Sequence, residues 1–95
     1  MSKFTAKTAV ISGGAEGIGF SIAKALGEEK MNIVLTDINE ENLQKACLEL
    51  EANKVSVLPV VLDVAEEDQW EVVAEKALAR FGKIHMVVNL SLIHI

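Results

Sequence analysis

Tyrosine is absent from this 95-residue chain, and cysteine, proline and tryptophan occur once each. A single cysteine, Cys47, excludes a disulfide framework and argues against a zinc cluster. Aromatic residues make up only 4% of the chain, so a core has to be built from Val, Ile, Leu and Ala. Positive charge is also scarce: nine Lys and Arg are scattered against 14 Asp and Glu, for a formal net charge of −5. Nucleic acid and anionic membranes both need clustered cations, so neither is an expected partner. The scattered charges read as a solvated surface. No apolar run approaches the ~18 residues that cross a bilayer. Residues 1–7 carry no apolar stretch of signal-peptide size. A reducing, cytoplasmic setting is the expectation, with no metal.

What is present is an apolar half of the chain, 51% of its residues, enough for one small domain. Four apolar runs, at 8–11, 32–36, 55–61 and 84–88, are continuous and rich in Val and Ile. Strands buried on both faces read that way. Between them lie three stretches with helical spacing. The first, 17–29, places Ile18, Ile22, Ala25 and Leu26 on one face. The second, 39–52, carries Leu43, Cys47 and Leu50, with Asn39 as N-cap and Glu40 and Glu41 where the helix dipole favours negative charge. The third, 66–81, carries Trp70, Val73, Ala74, Ala77, Leu78 and Phe81, and Gly82 ends it. The order β-α-β-α-β-α-β implies an α/β fold: a doubly wound parallel sheet of Rossmann type, with strand order 3-2-1-4. Pro59 fits that order, because the third strand is then an edge, where proline is tolerated.

The most informative segment is Ser12-Gly13-Gly14-Ala15-Glu16-Gly17-Ile18-Gly19, which links the first strand to the first helix. Gly13 allows a tight turn. Gly17 leaves room for a pyrophosphate against the backbone, and Gly19 lets the helix pack close to the sheet. The free N–H groups of the helix start then hold the phosphates. Asp37 ends the second strand, 24 residues after Gly13, the spacing expected of an acid that accepts hydrogen bonds from a ribose. Such a carboxylate repels a 2′-phosphate, and no Arg or Lys stands next to it in sequence, so NAD is expected over NADP. The competing readings are a tight turn without ligand and an Asp that merely initiates the second helix.

The glycine spacing, G-x-x-x-G-x-G after a hydroxyl residue, resembles the T-G-x-x-x-G-x-G motif of the short-chain dehydrogenase/reductase family, with Ser12 in place of Thr. Asp63-Val64 after the third strand resembles the family's Asp-Val pair at the adenine, although Asp63 also reads as a cap of the third helix. Asn89 matches the first Asn of the family's Asn-Asn-Ala-Gly motif. Coenzyme contacts are thereby implied for Ser12, Gly13, Ala15, Glu16, Gly17, Ile18, Gly19, Asp37, Ile38, Asp63, Val64 and Asn89. Glu16 reads equally well as a solvated carboxylate. The resemblance implies an alcohol or ketone oxidoreductase acting on a small carbonyl or alcohol substrate. Its Ser and Tyr-x-x-x-Lys catalytic set has no match here, and a chain without Tyr cannot hold the proton-relay phenol. No catalytic residue is therefore assigned, and the chain by itself is expected to be inactive. Homo-oligomerisation is an expectation for the full-length protein alone. The alternative is a non-catalytic NAD-binding sensor or regulatory module.

After Asn89 the resemblance stops: Leu90, Ser91 and Leu92 stand where Asn, Ala and Gly are expected. The peptide at 90–95 is what CTGTCTCTTATACACATC encodes, a string that resembles the transposase adapter end of sequencing libraries. Residues 1–89 are thus read as the dinucleotide-binding part of one domain, and 90–95 as a candidate non-native tail. Cys47 and Trp70 read as core, His85 as structural, and the fourth strand as an apolar edge prone to aggregation.

Overall fold

The computed structural model describes residues 7–12, 17–61 and 67–89. Strands and helices alternate as β1 (Thr8–Ser12), α1 (Gly17–Glu28), β2 (Asn32–Asp37), α2 (Glu40–Ala52), β3 (Val57–Val61), α3 (Glu67–Phe81) and β4 (Met86–Asn89). Every strand pairing is parallel. The order across the sheet is β3-β2-β1-β4, as the alternation of elements predicts.

The alternation of side chains along a strand divides the core into two layers. On one face Ala9, Ile11, Ile33, Leu35 and Val57 meet Ala23 of α1 and Leu43, Ala46, Cys47 and Leu50 of α2. On the other, Val10, Val34 and Val60 meet Val73 and Ala77 of α3, with Trp70, Phe81 and Ile84 half-buried around them. Cys47 is a core residue, as expected, whereas Trp70 is only half-buried and packs against the edge of the second layer. Asn39 caps α2: its side chain accepts from the Asn42 N–H at 2.9 Å. Gly82, at φ 86°, takes the left-handed turn after α3 that favours glycine.

Several expectations need correction. The buried line of α1 is Gly19, Ala23 and Gly27, with Ile22 and Leu26 only flanking it, whereas Ala25 is exposed and Ile18 is 72% exposed. Closeness to the sheet selects small residues, and the largest apolar side chains sit beside the contact rather than in it. Gly27 packs as closely against the segment that enters β3: a Cβ there would lie 2.6 Å from both γ-methyls of Val55. Leu78 of α3 is 48% exposed, on the shoulder of the apolar stripe and not in its centre. The ladder of β3 starts at Val57, two residues later than the apolar run, because the Val55 N–H closes the end of α2 by donating to Leu50 O. The fourth strand is Met86–Asn89 and not 84–88. Only β1 and the centre of β2 are buried on both faces; Pro59, Val61 and Val87 are exposed on the two edge strands.

Candidate coenzyme site

Parallel pairing brings the carboxyl ends of all strands to one edge of the sheet. In register, Ser12 lies opposite Thr36 on one side and Asn89 on the other. Asp37, one residue beyond Thr36, lies opposite Val61. The amino end of α1 starts at the same edge, at Gly17. Crevices of this kind, outside the carboxyl ends of parallel strands, are where ligands bind in open α/β sheets.

Three local features make the edge receptive. First, Gly17 has φ +58°, and nothing lies within 4 Å of where its Cβ would be. The backbone there is both left-handed and open to approach, which suits a bulky oxyanion resting on main-chain donors. Second, Ile18 and Ile38 are 72% and 65% exposed, two apolar side chains that water covers poorly. Third, Asp37 is half-buried at the end of β2, and its Oδ1 accepts from the main-chain N–H of Asn39 at 3.0 Å. Asp, a residue and then Asn form an Asx turn, which leads directly into the cap of α2. Thr36 is fully buried and donates from Oγ1 to Ile11 O at 3.2 Å, tying β2 to β1 just before the two strands end.

Of the residues expected at the site, Ser12, Gly17, Ile18, Gly19, Asp37, Ile38 and the backbone of Asn89 are brought to this edge. Ser12 is fully buried at the carboxyl end of β1. Gly13, Ala15, Glu16, Asp63 and Val64 lie outside the described residues, as does 90–95. The bond from the Asn39 N–H is the one implied by the competing reading of Asp37 as the residue that initiates the second helix, so Asp37 has this local role whatever else it binds. His85 is at the opposite edge. Its Nδ1 accepts from the Thr8 N–H at 3.0 Å, and its own N–H donates to Thr8 O at 2.8 Å, so it is structural, as expected. Burial, reinforced by the charge of Glu51, pushes the Cys47 thiol up to about 11, the opposite of what a nucleophile needs. Among the described residues no three His, Cys, Asp or Glu side chains gather as a metal site, and no helix is long and apolar enough to cross a membrane.

This geometry suits a dinucleotide: an open, left-handed glycine at a helix start, an acid at the neighbouring strand end, and exposed apolar side chains at Ile18 and Ile38. The family model for short chain dehydrogenases matches residues 7–91. A 12alpha-hydroxysteroid dehydrogenase of Clostridium sp. is 40% identical over 94% of this chain and 37% of its own length. A short-chain dehydrogenase/reductase of Burkholderia phymatum, solved in complex with NAD, superposes with a TM-score of 0.87 at 34% identity, covering 92% of this chain and 31% of that one. An actinorhodin polyketide ketoreductase solved with NADPH superposes at 0.86 and 27% identity, over 94% and 34%. The chain spans about a third of the length of the curated relatives it matches.

Proposed function

The chain belongs to the short chain dehydrogenase family, and from that premise we propose that it is the NAD-binding part of an oxidoreductase acting on a small carbonyl or alcohol. The main-chain donors at the start of α1 hold the diphosphate over Gly17, where the left-handed backbone is open to approach. Ile18 and Ile38 shed water as the dinucleotide covers them. Asp37 accepts from the adenosine ribose hydroxyls. When bound, the nicotinamide supplies or takes up a hydride. The proton that balances it is moved by residues of the full-length protein that this chain does not contain, since it has no Tyr. Recovery of the complete gene is expected to show a downstream Ser and Tyr-x-x-x-Lys; a gene lacking them favours the non-catalytic NAD-binding module instead.

The observation that carries the reading is the pairing of an open, left-handed Gly17 with an acid at the end of the adjacent strand. It also supports NAD over NADP. A 2′-phosphate would face the Asp37 carboxylate, at a cost of about 4 kcal/mol for two charges ~4 Å apart near a surface. Neither neighbour of Asp37, Thr36 or Ile38, offers a compensating cation. Binding constants for both coenzymes, measured on the full-length protein, test this. NAD is expected to bind more tightly, and Asp37→Ala to weaken NAD binding while improving that of NADP. Tighter binding of NADP with Asp37 intact would refute it.

A further inference from the structure

The carboxylate at position 37 selects a coenzyme only if it faces a fixed direction. A free Asp side chain at a strand end samples several rotamers, and each averaged rotamer dilutes both its attraction for a ribose diol and its repulsion of a phosphate. Here the direction is set locally. The Asn39 N–H donates to Asp37 Oδ1 at 3.0 Å. Asn39 itself is extended, φ −91° and ψ 103°, and its side chain caps α2 by accepting from the Asn42 N–H. The turn and the cap share one residue but use different groups of it: the side chain caps α2, and the main-chain N–H holds Asp37.

We infer that the main-chain N–H of Asn39 is a positioning group for coenzyme selection, clamping the Asp37 carboxylate in the orientation that accepts a ribose and rejects a 2′-phosphate. The inference rests on the coenzyme reading above and adds to it a donor that every residue except proline would supply. Identity at position 39 is then free for capping, while selectivity depends on the backbone.

The test compares two substitutions in the full-length protein. Asn39→Ala removes the cap and keeps the N–H; Asn39→Pro removes both, and proline's preferred φ of about −65° lies near the observed angle. Affinities for NAD and NADP are read by calorimetry, and the Asp37 rotamer by Hα–Hβ and N–Hβ scalar couplings without coenzyme. With N39A as the reference, N39P is expected to lower the ratio of NAD to NADP affinity about tenfold, the scale of a lost hydrogen bond to a charged group. Its couplings should show a larger share of other rotamers than those of N39A. Equal affinity ratios in the two variants would overturn the inference, and so would an Asp37 that already averages its rotamers in the unsubstituted protein. That second measurement stands alone should N39P fail to fold. If Asp37→Ala leaves the ratio unchanged, the coenzyme reading beneath this one fails instead, so the two failures are told apart.

Discussion

Cys47 illustrates what a single buried residue contributes beyond packing. It is 4% exposed among Leu43, Ala46 and Leu50, and removal from water, with Glu51 nearby, disfavours its thiolate. The thiol is pushed from 9.0 to about 11. Because the folded value is raised, the folded state keeps its proton where the unfolded chain has lost it. The resulting stabilisation is complete below about pH 9 and is lost as pH rises through 11. Other groups titrate in this window, so the difference from Cys47→Ala isolates the thiol. The urea midpoint of the parent is expected to fall more steeply between pH 9 and 11 than that of the variant, which begins lower because of the lost sulfur contacts. Parallel slopes would contradict the burial argument. Alkylation of the native thiol at neutral pH should likewise be slow beside that of the unfolded chain.

At the scale of elements, the contact between α1 and the segment entering β3 depends on an absent side chain. Gly27 is buried in the last turn of α1, and a methyl there would meet Val55, whose branched side chain is itself 5% exposed and has nowhere to rotate. Two effects oppose each other in Gly27→Ala. Helix propensity favours alanine by up to about 1 kcal/mol. Overpacking at 2.6 Å against two methyl groups costs on the order of 1–3 kcal/mol, and it wins because neither backbone can retreat without disturbing the layer between α1 and the sheet. G27A is therefore expected to lower the denaturation midpoint, and Val55→Ala to relieve the loss in the double variant, with a favourable coupling energy. A G27A protein more stable than its parent would show that propensity dominates. The same contact shows why helix faces were harder to read than helix positions. Spacing located α1 to within a residue, but the apolar pattern placed Ile18 and Ala25 inward, whereas close packing buried Gly19, Ala23 and Gly27. For α2, where Leu43, Cys47 and Leu50 are both large and central, pattern and structure coincide.

The whole molecule was legible in outline because parallel strands need continuous apolar runs, and four such runs separated by helices admit few topologies. Strand order followed from that, and Pro59 at the edge agreed. At the carboxyl edge, Asp37 and Gly17 stand out because their chemistry is residue-specific; the Asn39 donor is a main-chain group, marked only indirectly by the Asp37-Ile38-Asn39 sequence ahead of a helix. Exposure was illegible, since a Val in an edge strand looks the same as one in a central strand. Val87 shows the difference. It belongs to a run like that of β1, yet it is 59% exposed, and β4 pairs only with β1 among the described residues. The outward ladder groups of β4, with an apolar side chain beside them, form a template for pairing with a second copy. A charge at this position should block that pairing without touching the β1–β4 register, because the side chain stands off the sheet and takes no part in the ladder. For the 95-residue chain, Val87→Lys is thus expected to reduce self-association in sedimentation velocity at matched concentration, with hydrogen-exchange protection of β1 and β2 retained. If the variant associates as readily as the parent, the contact that drives association lies elsewhere than on β4.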